Sequence, residues 1–133
     1  MPLALQPARS PAPHKPNVFV LHCGLDIKRL DTLCKKLGLI LNLTRFRREE
    51  LFAYYMRLDR PRPDLIIIRS HFRLLVNGLN REKQIPTIVV SSHRKPADCS
   101  CAFIQADHGY DGPGAFTAYE QLATAMLQEL YAA

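Results

Sequence analysis

Residues 63–70, PDLIIIRS, carry the clearest structural signal in this sequence. The stretch opens with proline and aspartate and continues as a short apolar run rich in β-branched isoleucine. Such a run is typical of a central parallel strand that is buried on both faces, and it predicts a strand over residues 64–68. In α/β proteins, ligands and catalytic groups gather where parallel strands end. The residue at that end of this strand is Arg69.

Strands and helices alternate on both sides of this stretch. Strands are predicted at 17–22, 39–43, 64–68, 85–91 and 101–105, and helices at 27–37, 47–58, 71–79 and 115–131. The loop 92–100 has little room for a full helix. The alternation predicts one α/β domain, a doubly wound five-stranded parallel sheet of order 2-1-3-4-5, with a shortened region between strands 4 and 5.

Helical periodicity also predicts which side chains enter the core. Asp26 is expected to cap the first helix and Gly38 to end it. The inward positions are expected to be Ile27, Leu30, Leu33, Cys34 and Leu37 in the first helix, and Leu51, Phe52 and Tyr55 in the second. In the last helix they are Phe116, Tyr119, Leu122, Ala123, Met126, Leu127 and Leu130.

Length and composition predict a flexible Pro-rich arm at residues 1–16 and a folded domain at 17–133. The arm contains five prolines and no uninterrupted apolar segment, which argues against a signal peptide. No apolar run is long enough to cross a bilayer. The spacing of the four cysteines, Cys23, Cys34, Cys99 and Cys101, does not suggest a disulfide framework, so a cytoplasmic location is expected.

Charge is distributed unevenly along the chain. The formal net charge is +6, and every lysine and arginine lies at or before Lys95. Only acids follow, namely Asp98, Asp107, Asp111, Glu120 and Glu129. This pattern fits an unevenly solvated surface, an anionic partner, or head-to-tail contact between copies. Nucleic acid stays among the candidate partners, although the basic residues are not interleaved with stacking aromatic residues.

Polar side chains collect at the predicted strand ends, and three interpretations compete for them. In the first interpretation these side chains are solvated or cap neighbouring helices. In the second they form an anion site, and in the third a transition-metal site. The anion site would use Arg69, His71, Ser91, His93, Arg94 and Lys95. The metal site would use His22, Cys23, His71 and His93, but no close-spaced ligand pair supports it, and no metal is expected.

Residues 22–29, HCGLDIKR, have the outline His-Cys-x5-Arg found in cysteine-dependent phosphatases. A thiolate at a helix N-terminus has a lowered pKa, and loop amides with an arginine bind phosphate. Cys23 would be the nucleophile and Arg29 the phosphate ligand; a phosphocysteine transfer domain is a related alternative. Asp26, however, would place a carboxylate inside the phosphate cradle. Asp26 as an N-cap explains the same residues, so an enzyme is not expected.

Three features together resemble a response-regulator receiver domain over residues 17–131. Residues 63–68 are similar to the receiver's third strand. Gly78 lies about where receivers place a glycine after the phosphorylation loop. Residues 85–91, IPTIVVS, are similar to the fourth strand, with Ser91 matching the switch hydroxyl. The resemblance implies a CheY-like, flavodoxin-like fold and a role in signal transduction.

The sequence departs from the receiver pattern at the residues that carry its chemistry. Arg69 stands at the phospho-acceptor position, and His22 and Cys23 replace the paired acids that hold magnesium. Near Gln105 there is no counterpart of the receiver's lysine. Magnesium needs carboxylate oxygens, of which Asp107 is the one candidate here. The resemblance therefore implies a degenerate pseudo-receiver without a cofactor.

The expected function is that of a phosphorylation-independent regulatory domain. It would bind a protein partner in a bacterial-type signalling, transcriptional or secretory assembly, and a homodimer is plausible. The expected contact surfaces are the last helix, through Tyr119, Glu120 and Glu129, and the loops around Arg69 and His93. The alternatives are an anion or nucleotide-ligand sensor at the strand ends, or the Cys23 enzyme.

Overall fold

The computed structural model describes residues 15–21, 24–58, 60, 62–91, 101–105 and 115–131. In chain order its elements are β1 (Asn17–Leu21), α1 (Ile27–Lys36), β2 (Asn42–Arg45), α2 (Glu49–Arg57), β3 (Leu65–Arg69), a 3-10 turn (Ser70–Phe72), α3 (Arg73–Leu79), β4 (Thr87–Ser91), β5 (Ala102–Gln105) and α4 (Ala115–Tyr131). Strands and helices alternate as the sequence predicts.

The five strands form one parallel sheet in the order β2-β1-β3-β4-β5. The predicted doubly wound α/β fold is therefore confirmed. β3 lies at the centre, where Ile67 pairs with Val20 of β1 on one side and with Ile88 of β4 on the other. Leu65 to Ile68 are at most 1% exposed, because helices cover both faces of this strand. The apolar run that marks β3 in the sequence reflects this double burial.

Each face of the sheet has its own hydrophobic core. On one face α1 and α4 pack through Leu30, Cys34, Tyr119, Leu122 and Met126. On the other face α2 and α3 contribute Phe52, Met56 and Val76, which pack with Phe19 and Phe46. Here the ring of Phe46 meets the rings of Phe19 and Phe52 edge-on, at centroid distances of 5.0 and 5.5 Å.

Both ends of α1 form as predicted. The side chain of Asp26 accepts a hydrogen bond from the Arg29 amide, which satisfies a free donor of the first turn. Gly38 adopts a φ of +80°, a left-handed conformation that glycine tolerates and that ends the helix. Leu37 was predicted to face the core but is exposed, because it is the C-cap residue, at the point where the chain leaves the helix.

Several predicted bounds differ from the structure, and those of β2 and α2 affect which residues are buried. β2 begins at Asn42 rather than at residue 39, and Leu39 and Leu41 are buried in the connection that precedes it. α2 begins at Glu49, and its inward face is formed by Phe52, Ala53 and Met56. Leu51, predicted to face inward, is 49% exposed. Residues 1–14 of the predicted arm, and the loops at 92–100 and 106–114, lie outside the described residues.

No helix in the described ranges combines the length and the apolar character that a membrane span requires.

Candidate functional site

The carboxyl ends of β3, β4 and β5 meet at one edge of the sheet. There Arg69 pairs with Val90, and Ser91 pairs with Gln105. The Arg69 side chain is exposed, and in the part of the chain that the structure describes it makes no ion pair. A permanently charged guanidinium therefore lies at the position that the resemblance assigns to a phospho-acceptor carboxylate.

A hydroxyl pair joins the ends of β3 and β4. Ser70 Oγ donates a hydrogen bond to Ser91 Oγ at a distance of 3.1 Å. Ser91 is only 8% exposed, and it is the one polar residue among those that the structure shows as buried. The candidate switch hydroxyl thus already has a partner, and this partner directly follows Arg69 in sequence.

Strand alternation separates Arg69 from Ser91. Leu65 and Ile67 belong to the core under α1 and α4, so Arg69 continues a row on that face. Val89 belongs to the core under α2 and α3, so Ser91 continues a row on the opposite face. The two predicted anion ligands therefore lie at neighbouring strand ends but in rows that face opposite sides of the sheet.

His71 lies on the surface in the 3-10 turn that follows β3. Its ring packs against the ring of Phe72, with 3.9 Å between centroids. The other predicted ligands, His22, Cys23, His93, Arg94 and Lys95, lie outside the described residues, so the anion and metal sites stay predictions. Within the described ranges, no three His, Cys, Asp or Glu side chains come together as metal ligands would.

The turn between β1 and α1 is held by internal hydrogen bonds. The Asp26 amide donates to the Tyr119 hydroxyl at 2.7 Å, and the Arg29 amide donates to Asp26 Oδ1 at 3.2 Å. The Arg29 guanidinium lies over the Tyr119 ring, 4.7 Å from its centroid. In a phosphatase loop, such amides and this arginine would bind phosphate. Their engagement here favours the N-cap interpretation, while Cys23 itself lies outside the described residues.

The prediction that Tyr119 contacts a partner was wrong. Its side chain is fully buried, since α4 packs it against α1 and the sheet. The apolar stripe of the last helix had also predicted Tyr119 on the inward face, and this second prediction is correct. Glu120 is exposed and Glu129 is half-buried. The outer surface of α4 carries mostly uncharged polar residues, including Thr117, Gln121, Thr124 and Gln128.

Gly78 does not follow a loop, as its position in the resemblance implied. It lies inside α3, and its φ is not positive. A Cβ added to Gly78 would meet no atom within 4 Å. The glycine therefore has no conformational role that another residue could not fill.

Lys83 has a structural role that the sequence did not reveal. Its Nζ donates hydrogen bonds to the carbonyl oxygens of Met56 and Leu58, the latter at 2.9 Å. These carbonyls lie at the end of α2, where the last C=O groups of a helix have no intrahelical N–H partner. A cation at a helix C-terminus also interacts favourably with the helix dipole. No local sequence pattern predicts this bond, because Lys83 comes 25 residues after Leu58 in the sequence.

Comparisons with known proteins show the fold. No protein-family model matches the sequence, and no curated protein matches it. The phosphorylated cyanobacterial phytochrome response regulator RcpA superposes with a TM-score of 0.61 at 15% identity, over 86% of this chain and 93% of RcpA. The orphan response regulator HP1043 of H. pylori gives 0.55 at 13% identity, over 87% of this chain and 97% of HP1043.

The response regulator RPA3017 of R. palustris, from red light signalling, gives a TM-score of 0.56 at 14% identity. This match covers 88% of this chain and 94% of RPA3017. At such identities the likeness concerns architecture alone. This chain therefore has the flavodoxin-like fold of response-regulator receiver domains.

Proposed function

We propose that this domain is a regulatory module that binds a protein partner and works without being phosphorylated. The observation that carries the proposal is Arg69 at the end of β3, where a receiver needs an aspartate. A guanidinium stays protonated and offers no nucleophilic oxygen to a phosphoryl donor. The fold of a signalling domain is thus retained without the group that accepts phosphate.

The Ser70–Ser91 hydrogen bond supports this proposal. The resemblance makes Ser91 the candidate switch hydroxyl. Here the Ser91 hydroxyl is nearly buried and already bound to Ser70. The two strand ends are therefore linked in the unmodified protein, which suits a domain that holds one conformation for a partner.

The partner is proposed to belong to a bacterial-type signalling or secretory assembly, and the domain to act as a monomer or a dimer within it. Two exposed features are the proposed contacts: the outer surface of α4 with Glu120, and the end of β3 with Arg69. Both lie on helices or strand ends that the two cores hold rigidly, as a binding surface requires.

The phosphorylation arm of the proposal is tested by incubating the protein with acetyl phosphate and Mg²⁺ and measuring its intact mass. The expected mass is unchanged, while an active receiver domain in the same mixture gains a phosphoryl group. The Arg69→Asp variant shows whether an acceptor carboxylate alone restores the reaction. A phosphoryl adduct on the unaltered protein contradicts the proposal.

The binding arm uses capture from native lysate with matched surface variants. Arg69→Glu and Glu120→Lys are expected to lose the same partner, and Arg62→Glu, on a distant exposed loop, is expected to keep it. Retention by all three variants, or loss by all three, contradicts the proposed surfaces.

A second candidate is a sensor that binds an anion at Arg69, favoured by the exposed guanidinium without an ion-pair partner in the described ranges. Titration with inorganic phosphate and pyrophosphate, read by the melting temperature, is expected to stabilise the protein but not Arg69→Gln. The enzyme alternative predicts aryl phosphate turnover that Cys23→Ser abolishes. The hydrogen bonds of Asp26 and Arg29 disfavour it.

A further inference from the structure

β2 lies at the edge of the sheet, and in the ranges that the structure describes it pairs with β1 alone. The amides of Asn42 and Phe46 point towards β1, where they donate to the carbonyl oxygens of Pro16 and Val20 at 2.9 and 2.8 Å. Backbone groups alternate in direction along a strand. Leu43 and Arg45 therefore direct their N–H and C=O groups away from the sheet.

A shallow groove runs between this free edge and α1. Its floor is apolar, because Ile27 and Leu43 are half-buried and pack against the core below. Its rim is basic, because Lys28, Arg45 and Arg47 line it. An apolar floor with outward backbone groups beside it is the form of site that takes an extended peptide as an added strand.

Two acids, Asp26 and Asp31, also line the groove. Asp31 forms an ion pair with Lys35 at 3.0 Å, and Asp26 caps α1 by accepting from the Arg29 amide. The Arg45 guanidinium donates to the Leu25 carbonyl at 3.2 Å, which holds a positive charge beside the edge without neutralising it. The three cations that line the groove, Lys28, Arg45 and Arg47, outnumber its two acids, so its formal charge is positive and a carboxylate-bearing segment complements it.

We propose that the free edge of β2 binds an extended, acidic peptide segment of a protein partner. The peptide adds as a sixth strand through the backbone of Leu43 and Arg45. Its carboxylates meet Lys28 and Arg45, and an apolar side chain rests on Ile27 and Leu43. This proposal rests on the proposed function, because the acidic peptide belongs to the partner of the regulatory module. The β2 edge, however, shares no residue with the strand-end site of Arg69 and Ser91. The phosphorylation experiment and the peptide experiment can therefore fail separately.

A fluorescein-labelled peptide of repeated Glu-Thr-Val-Thr, with blocked termini, is the probe, because this spacing puts its glutamates and valines on the same face of a strand. Fluorescence anisotropy is expected to show saturable binding that weakens with added salt. The same peptide with lysine in place of glutamate is expected not to bind. A version N-methylated at every residue keeps the side chains and their charge but cannot donate strand hydrogen bonds, and it is expected to bind far more weakly. If the N-methylated peptide binds equally well, charge attraction alone explains the binding, and the proposal is overturned.

Variants locate the site. Lys28→Glu and Arg45→Glu are each expected to weaken peptide binding by about fivefold, as for an exposed ion pair. Lys36→Glu, an equal charge reversal at the far end of α1, is the matched control and is expected to bind as the unaltered protein does. Melting temperatures show that each variant is folded. Loss of binding in Lys36→Glu to the same degree overturns the assignment to this groove.

Amide hydrogen exchange followed by NMR supplies a readout of strand addition. The Leu43 and Arg45 amides are expected to exchange more slowly when the peptide binds. The Asn42 and Phe46 amides, already bonded to β1, are expected not to change. Protection elsewhere without protection at Leu43 overturns the proposal. So does dimerisation of the protein alone that Arg45→Glu abolishes, since a second copy then occupies the edge. Tighter binding of single-stranded DNA than of the peptide also overturns it.

Discussion

The hydroxyl of Tyr119 in α4 accepts a hydrogen bond from the amide of Asp26 at the start of α1, although 93 residues separate them in sequence. The same Asp26 caps α1 through its side chain, and the Arg29 guanidinium covers the Tyr119 ring. One buried side chain thus joins the first helix to the last. The N-terminus of α1 depends on α4 for its position.

Tyr119→Phe tests the hydrogen bond between Asp26 and Tyr119. The ring still fills its place in the core, but the partly buried Asp26 amide loses its acceptor. A typical intramolecular hydrogen bond contributes about 0.5–1.5 kcal/mol, and the free energy of unfolding is expected to fall by that amount in urea titrations. Tyr131→Phe removes a hydroxyl from an exposed ring of the same helix and is expected to change stability little. Equal effects of the two substitutions contradict the structural role of the bond.

Gly38→Ala and Gly78→Ala are expected to change stability in opposite directions. Gly38 has a φ of +80°, which alanine adopts only with strain, so its substitution is expected to cost about 1 kcal/mol. Gly78 lies inside α3 with open space around its Cβ position, so alanine is expected to stabilise the helix by up to about 1 kcal/mol. Thermal unfolding measures both. A stabilised Gly38→Ala, or a strongly destabilised Gly78→Ala, contradicts the local geometry.

Cys34 predicts a pH dependence of stability above pH 9. Burial, with a smaller contribution from the Asp31 charge, raises the pKa of this thiol from 9.0 to about 11. Between these values the unfolded chain loses the proton and the folded protein keeps it. The thiol's contribution is therefore present below pH 9 and is lost as the pH rises towards 11, by about 2–3 kcal/mol.

The measurement compares the unaltered protein with Cys34→Ala by urea unfolding at pH 8 and at pH 10.5. Alanine creates a small cavity and lowers stability at both values, but it removes the titrating group. The difference in unfolding free energy between the two proteins is therefore expected to shrink as the pH rises. A constant difference contradicts the raised pKa.

Lys83→Met tests the bond between the α3–β4 connection and the end of α2. Methionine keeps an apolar chain of similar length, but it cannot donate to the carbonyls of Met56 and Leu58. Hydrogen bonds from charged donors contribute more than neutral ones, and a loss of about 1–2 kcal/mol is expected in urea unfolding. Lys36→Met, on the exposed end of α1, is the control and is expected to be near neutral.

The fold could be predicted because its strongest signals are repeated patterns. The run at 63–70 predicted β3, since a strand buried on both faces needs apolar residues at successive positions. The bounds of α4 were predicted as the structure has them, because its apolar stripe continues over several turns. The order of the strands then followed from the alternation of elements and the handedness of crossovers.

The failures come from places where tertiary packing outweighs local pattern. β2 was misplaced because it is an edge strand whose exposed residues, Asn42 and Thr44, lack an apolar signature, while Leu39 and Leu41 are buried from a connecting segment. Leu51 was placed inside because apolarity suggested burial, yet the inward direction of α2 is set by Phe52 and Met56. The candidate site was predicted least well, since which side chains meet at a sheet edge depends on register and on alternation between the two faces.

The hydrogen bond between Asp26 and Tyr119 also affects how the chain folds during synthesis. The core on the α1 face needs Tyr119, Leu122 and Met126 to cover Leu30 and Cys34. Until the ribosome has released α4, the core residues of α1 and the sheet lack the cover that these α4 side chains provide. The other face, closed by α2 and α3, forms from contacts nearer in sequence. The core under α2 and α3 therefore needs no residue of α4, whereas the core under α1 stays incomplete until α4 is present.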